Sequence, residues 1–338
     1  MLMRMGENVA ITHELFKQLH LPYDDPYIEK WDYELIVDEV VETIRPIKDL
    51  NDADYHIASQ CFSVNHELKV EWNNSDQDLY WPMRYEELRL IADVGNLISV
   101  GKSFYWKIPI DLFILFENVY VMTYNFQYSH LAYDFEIAEY VYEVCHIENG
   151  HLEPGPQDIS DYKRWFRDNV EIYNGRINNV GKAENALSAT RFKRMTDKEK
   201  ENLIKGIRSY FNMSGASGSR CMYSRYKTPF EVETNALEYP IRGYKKAAFV
   251  PFNTTAVNNY RDRDVLCYAA NVYEHPHVVK YYHEMGIHVD QRGTALNTML
   301  QWIYRSVIRS HPVDRTEPVK LAILSSRMRE ILNEWLAS

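Results

Sequence analysis

The sequence lacks several features that would narrow its class at once. No apolar run approaches the roughly 18–20 residues that a membrane-spanning helix needs, so a helical membrane protein is not expected. Met1–Ala10 holds no apolar stretch of secretory-leader length. Cysteine is scarce and scattered. Cys61, Cys145, Cys221 and Cys267 include no Cys-x-x-Cys pair, which argues against a disulfide framework and against a structural zinc site. Neither an internal repeat nor a low-complexity tract is visible. These absences set the expectation of a soluble protein with reduced thiols, located in the cytoplasm, with no membrane partner.

Positive charge is short in the first part of the chain. Residues 1–181 carry 14 Lys+Arg against 32 Asp+Glu, whereas residues 182–338 carry 24 against 16. A basic segment on an acidic chain suits a polyanion such as nucleic acid, because sequence-independent affinity comes mostly from phosphate neutralisation. Mutual attraction between the two parts is the other reading. The 338 residues suffice for two domains, and 46% hydrophobic with 25% charged residues is a globular composition.

Several segments carry possible chemistry. Tyr33-Glu34-Leu35-Ile36-Val37 reads as a short buried strand ending in Asp38-Glu39. Carboxylates at the carboxyl end of a strand lie where α/β sheets bind ligands, and such a pair can hold Mg²⁺ and orient water. Val9–Ile11 reads as a strand running into a helix capped by Thr12. Asp52–Asp78 is polar and turn-rich, with a loop at Asn73-Asn74-Ser75-Asp76, and Tyr85–Asn96 is an amphipathic helix candidate. Val119-Tyr120-Val121-Met122-Thr123-Tyr124 is a strong strand pattern. Gly95 to Gly101-Lys102-Ser103 nearly matches a phosphate loop but has five residues between the glycines where four are needed. An extended Phe104–Pro109 follows instead of a helix, so the segment reads as a decoy.

Beyond a boundary near Glu153-Pro154-Gly155-Pro156, strand and helix signals alternate. Asp161–Phe166 and Lys193–Phe211 read as helices, and Ala247–Val250, Val265–Ala270 and Val319–Leu324 as strands. Pro276–Glu284 reads as a helix, Asn253–Tyr260 as a polar turn, and Ser325-Ser326 as the cap of a last helix over 327–336. This alternation implies a mainly parallel α/β sheet. Met299–Arg309 places Gln301, Arg305 and Arg309 four residues apart, so an unbroken helix would align all three on one face. Arginines aligned along an apolar helix suit an anion such as a nucleotide phosphate; pairing with acids or solvent is the plain structural alternative.

Taken in order, the Thr12-His13-Glu14 edge, the strand ending Asp38-Glu39, the strand ending Met122-Thr123-Tyr124, the Thr254–Tyr260 turn and the Gln301…Arg305…Arg309 segment resemble the motif series of superfamily-two, DEAD-like helicases, particularly phage or plasmid replication helicases. The resemblance implies RecA-like parallel sheets in two lobes. Here they would form an incomplete first lobe over 1–135, a connector over 136–181 and a complete second lobe over 182–338. It further implies ATP and Mg²⁺ as cofactors. Asp38 would be the metal carboxylate, Glu39 the water-orienting base, Thr123 the residue coupling ATP state to nucleic acid, Gln301 an ATP contact, and Arg305 and Arg309 the phosphate-facing arginines. The sequence departs from the family in carrying Tyr304 where a glycine is usual. Its arginines stand four apart, not three, and no Walker A loop precedes Asp38. The expectation is therefore a helicase-like, nucleic-acid-dependent ATPase that is a fragment or split subunit, binding single-stranded DNA or RNA. A protein partner would supply the missing loop. The alternative is a catalytically inactive helicase-fold protein that docks nucleic acid or a protein.

Overall fold

The computed structural model describes residues 7–17, 31–47, 50, 52–73, 83–253, 259–310 and 316–338. In chain order the elements are α1 (His13–Phe16), β1 (Trp31–Asp38), β2 (Ile44–Pro46), α2 (Asp52–Ala58), β3 (Phe62–Val64), β4 (Val70–Trp72), α3 (Met83–Asp93), β5 (Leu97–Val100), β6 (Ser103–Lys107), β7 (Phe116–Met122) and α4 (His130–Ile137). Then follow β8 (Cys145–Glu148), β9 (His151–Pro154), α5 (Ser160–Asn169), β10 (Val170–Ile172), α6 (Ala189–Arg194), α7 (Asp197–Ser214), β11 (Cys221–Ser224), α8 (Pro229–Thr234), β12 (Ala248–Phe249), β13 (Val265–Tyr268), α9 (Pro276–Glu284), α10 (Gln291–Ile303), β14 (Val319–Ile323) and α11 (Ser326–Ala337). The chain divides into two compact units. The first comprises residues 1–142 and 275–289, and the second comprises 143–274 and 290–338.

In the second unit five strands form one all-parallel sheet in the order β10-β14-β13-β11-β12. Side chains alternate between its faces, as the period of two requires. Leu266, Tyr268, Leu321 and Ile323 enter a core with Phe166 of α5, Met299, Trp302 and Ile303 of α10, and Met328, Leu332 and Trp335 of α11. Val265, Cys267, Ala322 and Leu324 face the opposite core, against Leu203, Ile207 and Phe211 of α7. Helices on both faces explain why these strands read as near-continuous apolar runs. α7 begins in a capping box, with Thr196 and Glu199 satisfying each other's backbone N–H, and stops at Gly215 with φ +69°. Ser325 caps α11 as the sequence suggests, accepting from the Met328 N–H at 3.4 Å.

The first unit is mixed. β1 and β7 pair in parallel, β2-β6-β5 form an antiparallel sheet, and β3 and β4 form an antiparallel pair. One face of the β1–β7 pair packs Val37 against Phe113 and Leu131. The other leaves Ile36 62% and Met122 52% exposed. A two-stranded parallel pair with an uncovered apolar face is unusual, since parallel sheets are normally covered on both sides.

Several local expectations change. Residues 9–11 form no strand, although Thr12 does cap α1, accepting from the Leu15 N–H at 3.2 Å. The segment after Asp52 is not simply turns: Tyr55 and Ala58 bury one side of α2, and Phe62 pairs with Trp72 across β3 and β4. The strand read over Val119–Tyr124 runs from Phe116 to Met122, after a 3-10 turn over Ile110–Leu115. Residues 74–76 of the first polar loop and 254–258 of the second lie outside the described residues.

Candidate functional site

At the end of β1, Asp38 lies opposite Met122 in the parallel register, so Asp38-Glu39 and Thr123 leave the β1–β7 pair at one carboxyl edge. Both carboxylates are exposed. Glu39 has φ +69°, a conformation that costs a non-glycine residue about 1–2 kcal/mol. Its N–H donates to the Met122 carbonyl at 3.2 Å, which extends the ladder one residue past the strand and turns the chain there. Backbone strain at a carboxylate-bearing strand end is a pointer to function. Thr123 is half-buried, and its hydroxyl donates to the Tyr124 carbonyl at 3.4 Å.

The donor set suits Mg²⁺, which takes one or two carboxylates and completes its shell with phosphate oxygens and water. Among the described residues no group of three His, Cys, Asp or Glu side chains is placed to form an all-protein cage. The glycine-lysine segment is not a phosphate cradle. Leu97–Val100 and Ser103–Lys107 pair antiparallel around a turn at Gly101-Lys102, where Gly101 has φ +64°. No helix N-terminus follows to receive an anion.

The three polar residues Gln301, Arg305 and Arg309 do not share one helical face. α10 ends at Ile303, and Tyr304 is its C-cap. Ser306 explains the break: its hydroxyl donates to the Ile303 carbonyl at 2.6 Å and accepts from the Ile308 N–H at 3.3 Å, competing with the helical ladder. Arg309 therefore sits on a separate 3-10 turn over Val307–Ser310. Gln301 and Arg309 are exposed and Arg305 is buried. Trp302, fully buried, fixes the end of α10 by donating from Nε1 to the Val250 carbonyl at 2.8 Å. Asp38, Glu39 and Thr123 thus assemble in the first unit, and the glutamine and two arginines belong to the second.

A further set of residues lies at the carboxyl ends of the second unit's strands, where the order reverses. The chain leaves β11 for β12 on one side and returns to β13 on the other, and ligand crevices form at such switch points. Asn271, just past β13, is fully buried. Its side-chain amide donates to the Glu184 and Ala186 carbonyls at 2.7 and 3.0 Å, and its N–H donates to the Leu187 carbonyl at 3.0 Å. Its Oδ1 accepts from Arg327 at 3.1 Å, and its carbonyl accepts from the Tyr226 hydroxyl at 3.1 Å. Asn271 thereby pins the segment before α6 across the sheet edge.

Beside it, Arg225 and Glu231 form a bidentate pair at 2.7 and 2.6 Å, each 1% exposed. Burial alone would raise the Glu231 carboxyl. The Arg225 hydrogen bonds and the Thr228 N–H outweigh it and hold the carboxyl below the ordinary range. Sequence reasoning passed over this cluster. The visible signal was an apolar strand ending in a polar residue, Tyr268-Ala269-Ala270-Asn271, together with the Thr228-x-x-Glu231 capping box.

The charge asymmetry follows the structural units. The first carries 11 Lys+Arg against 26 Asp+Glu and the second 27 against 22. In the second, Lys182, Lys193 and Arg194 are exposed around the segment that Asn271 pins. Among the described residues no helix is long and apolar enough to cross a membrane.

Residues 164–336 match the family described as YonV C-terminal Rossmann-like domain. The SPbeta prophage-derived uncharacterized protein YonV of Bacillus subtilis (strain 168) is 25% identical over 340 residues, covering 98% of this chain and 80% of that protein. No solved structure matches.

Proposed function

This chain belongs to the family of the YonV C-terminal Rossmann-like domain, and from that premise we propose that it is a helicase-like protein that binds single-stranded nucleic acid through its second unit and contributes to a nucleic-acid-dependent ATPase site. The observation that carries the proposal is the all-parallel five-stranded sheet, whose switch-point edge is buttressed by Asn271 and flanked by exposed cations. Phosphate neutralisation by such cations supplies sequence-independent affinity. In the ATPase reading Asp38 would hold Mg²⁺, which would supply positive charge beside the phosphates, and Glu39 would orient the attacking water. Thr123, on the strand paired with β1, couples that site to nucleic acid. In the second unit the exposed Gln301 and Arg309 would serve as anion contacts, and the buried Arg305 has no such place.

A protein partner supplies the phosphate loop. The uncovered apolar face of the β1–β7 pair supports a partner there, as does the hairpin at Gly95–Ser103 where a cradle is needed. That hairpin also favours a second reading, a binding module that keeps the fold without turnover. Mg²⁺-dependent ATP hydrolysis by the full chain, with and without single-stranded oligonucleotide and beside Glu39→Gln, separates the two. Stimulated turnover that Glu39→Gln abolishes supports the ATPase reading. Oligonucleotide binding without turnover supports the module, and loss of both refutes the proposal.

A further inference from the structure

Arg327 stands at the second position of α11, at the carboxyl edge between β13 and β14, and is 9% exposed. Nη1 donates to Asn271 Oδ1 at 3.1 Å and to the Val272 carbonyl at 2.8 Å, and contacts Met328 Sδ at 3.7 Å. Nη2 donates to the Gln291 carbonyl at 3.2 Å, and the guanidinium lies 4.1 Å from the Tyr273 ring centroid. Every partner is neutral. Among the described residues no carboxylate is within ion-pair reach of this side chain, although Glu184 and Arg292 act on it at longer range. A guanidinium has five N–H donors. The bonds described use both on Nη1 and one on Nη2, leaving Nε–H and the second Nη2–H as an open fork. Burial without a counter-ion holds its pKa below the usual arginine value.

A buried cation with neutral partners and two N–H donors left over is arranged for an anion that arrives from outside. We propose that Arg327 is a phosphate-binding residue of the second unit, taking a phosphate oxygen pair from a nucleic-acid backbone or a nucleotide at the switch-point edge. Asn271 and Gln291 hold the guanidinium in position, and the Tyr273 ring lies 4.1 Å from it. Arg329, two residues on, is its structural contrast, since its Nη1 is spent on the Ile323 and Leu324 carbonyls at 2.6 and 2.9 Å. The inference rests on the polyanion-binding reading and adds to it a residue that the helicase resemblance does not name.

The test measures affinity of the full chain for a fluorescent oligo-dT and for a fluorescent ATP analogue, in wild type, Arg327→Gln, Arg327→Lys and Arg329→Gln. Arg327→Gln should weaken one or both probes about tenfold or more and reduce the oligonucleotide salt slope by about one. Arg327→Lys should weaken binding less and keep the slope, because charge survives and the fork does not. Arg329→Gln should change affinity less than about twofold. Loss confined to oligo-dT assigns the site to backbone phosphate, and loss confined to the analogue assigns it to nucleotide phosphate. Should Arg327→Gln fail to fold, Arg327→Lys carries the test. Pyrophosphate then provides a check on wild type alone, by raising its melting temperature. Wild-type binding that both folded Arg327 variants leave unchanged overturns the inference while the proposed function stands. A wild type that binds no probe overturns both.

Discussion

Replacing Glu231 with glutamine leaves Arg225 charged in a site that water does not reach. The carboxylate accepts two Arg225 bonds at 2.6 and 2.7 Å and the N–H groups of Thr228 and Glu238 at 3.0 and 2.9 Å. Glutamine offers one acceptor oxygen, so its NH₂ must face donors on one side or the other, and the guanidinium loses its counter-charge at 1% exposure. Breaking a buried pair from one side costs about 3–5 kcal/mol, whereas replacing both partners by apolar groups is often near neutral. Glu231→Gln should therefore lower unfolding free energy by about 3–5 kcal/mol, and the Arg225→Met, Glu231→Gln double variant, which removes the uncompensated charge and keeps an acceptor for the Thr228 or Glu238 N–H group, by clearly less. Urea unfolding, followed by the fluorescence of the chain's tryptophans, reads both. A loss below about 1 kcal/mol for Glu231→Gln, or a double variant as unstable as the single, would refute the reasoning.

Other outcomes follow from the same geometry. Because the Glu231 carboxyl is held below its ordinary value of 4.5, its contribution is complete above that pH and is lost as pH falls through the folded value; the stability curves of wild type and Glu231→Gln, measured by urea titration, should converge in acid and stay apart at neutrality. Asn271→Ala should cost roughly 2–4 kcal/mol in the same assay, since it orphans the Glu184 and Ala186 carbonyls and one Arg327 donor. Gly181→Ala should be destabilising by about 1–3 kcal/mol, because a Cβ there would meet the Leu324 carbonyl oxygen at 2.0 Å. Glu39→Gly should relieve the strain at φ +69° and raise thermal stability by up to about 1 kcal/mol while removing the carboxylate that the proposed ATPase reading assigns to water. An unchanged or lowered melting temperature for that variant would remove the argument from strain.

The second unit was legible because its order is local. Val265–Ala270 is an unbroken apolar run and Val319–Leu324 is broken only by Lys320, and strands covered by helices on both faces need such near-continuous runs. Ser325 and Pro276 marked helix starts in the expected places. Asp38-Glu39 and Thr123 could be placed at strand ends for the same reason, although the pairing of β1 with β7 is a long-range fact that no periodicity records. The arginine helix failed at Ser306, where one hydroxyl competing for the Ile303 carbonyl outweighs a four-residue spacing that looked continuous. Arg327 and Asn271 escaped notice because their meaning lies in partners distant along the chain. Asn271 reaches back to Glu184 and Ala186, and Arg327 reaches Asn271 and Gln291. Of the antiparallel strands of the first unit, β6 was legible as the extended Phe104–Pro109, whereas β2, β3 and β4 are three residues each, too short for alternation to show.

The proposed function turns on binding of nucleic acid by the second unit through phosphate contacts. Affinity of the full chain for a single-stranded oligonucleotide, measured by fluorescence anisotropy from about 50 to 200 mM salt, tests it most directly. The account predicts that log affinity falls linearly with log salt, with a slope corresponding to several neutralised phosphates. A flat response, or no measurable binding at low salt, would contradict it.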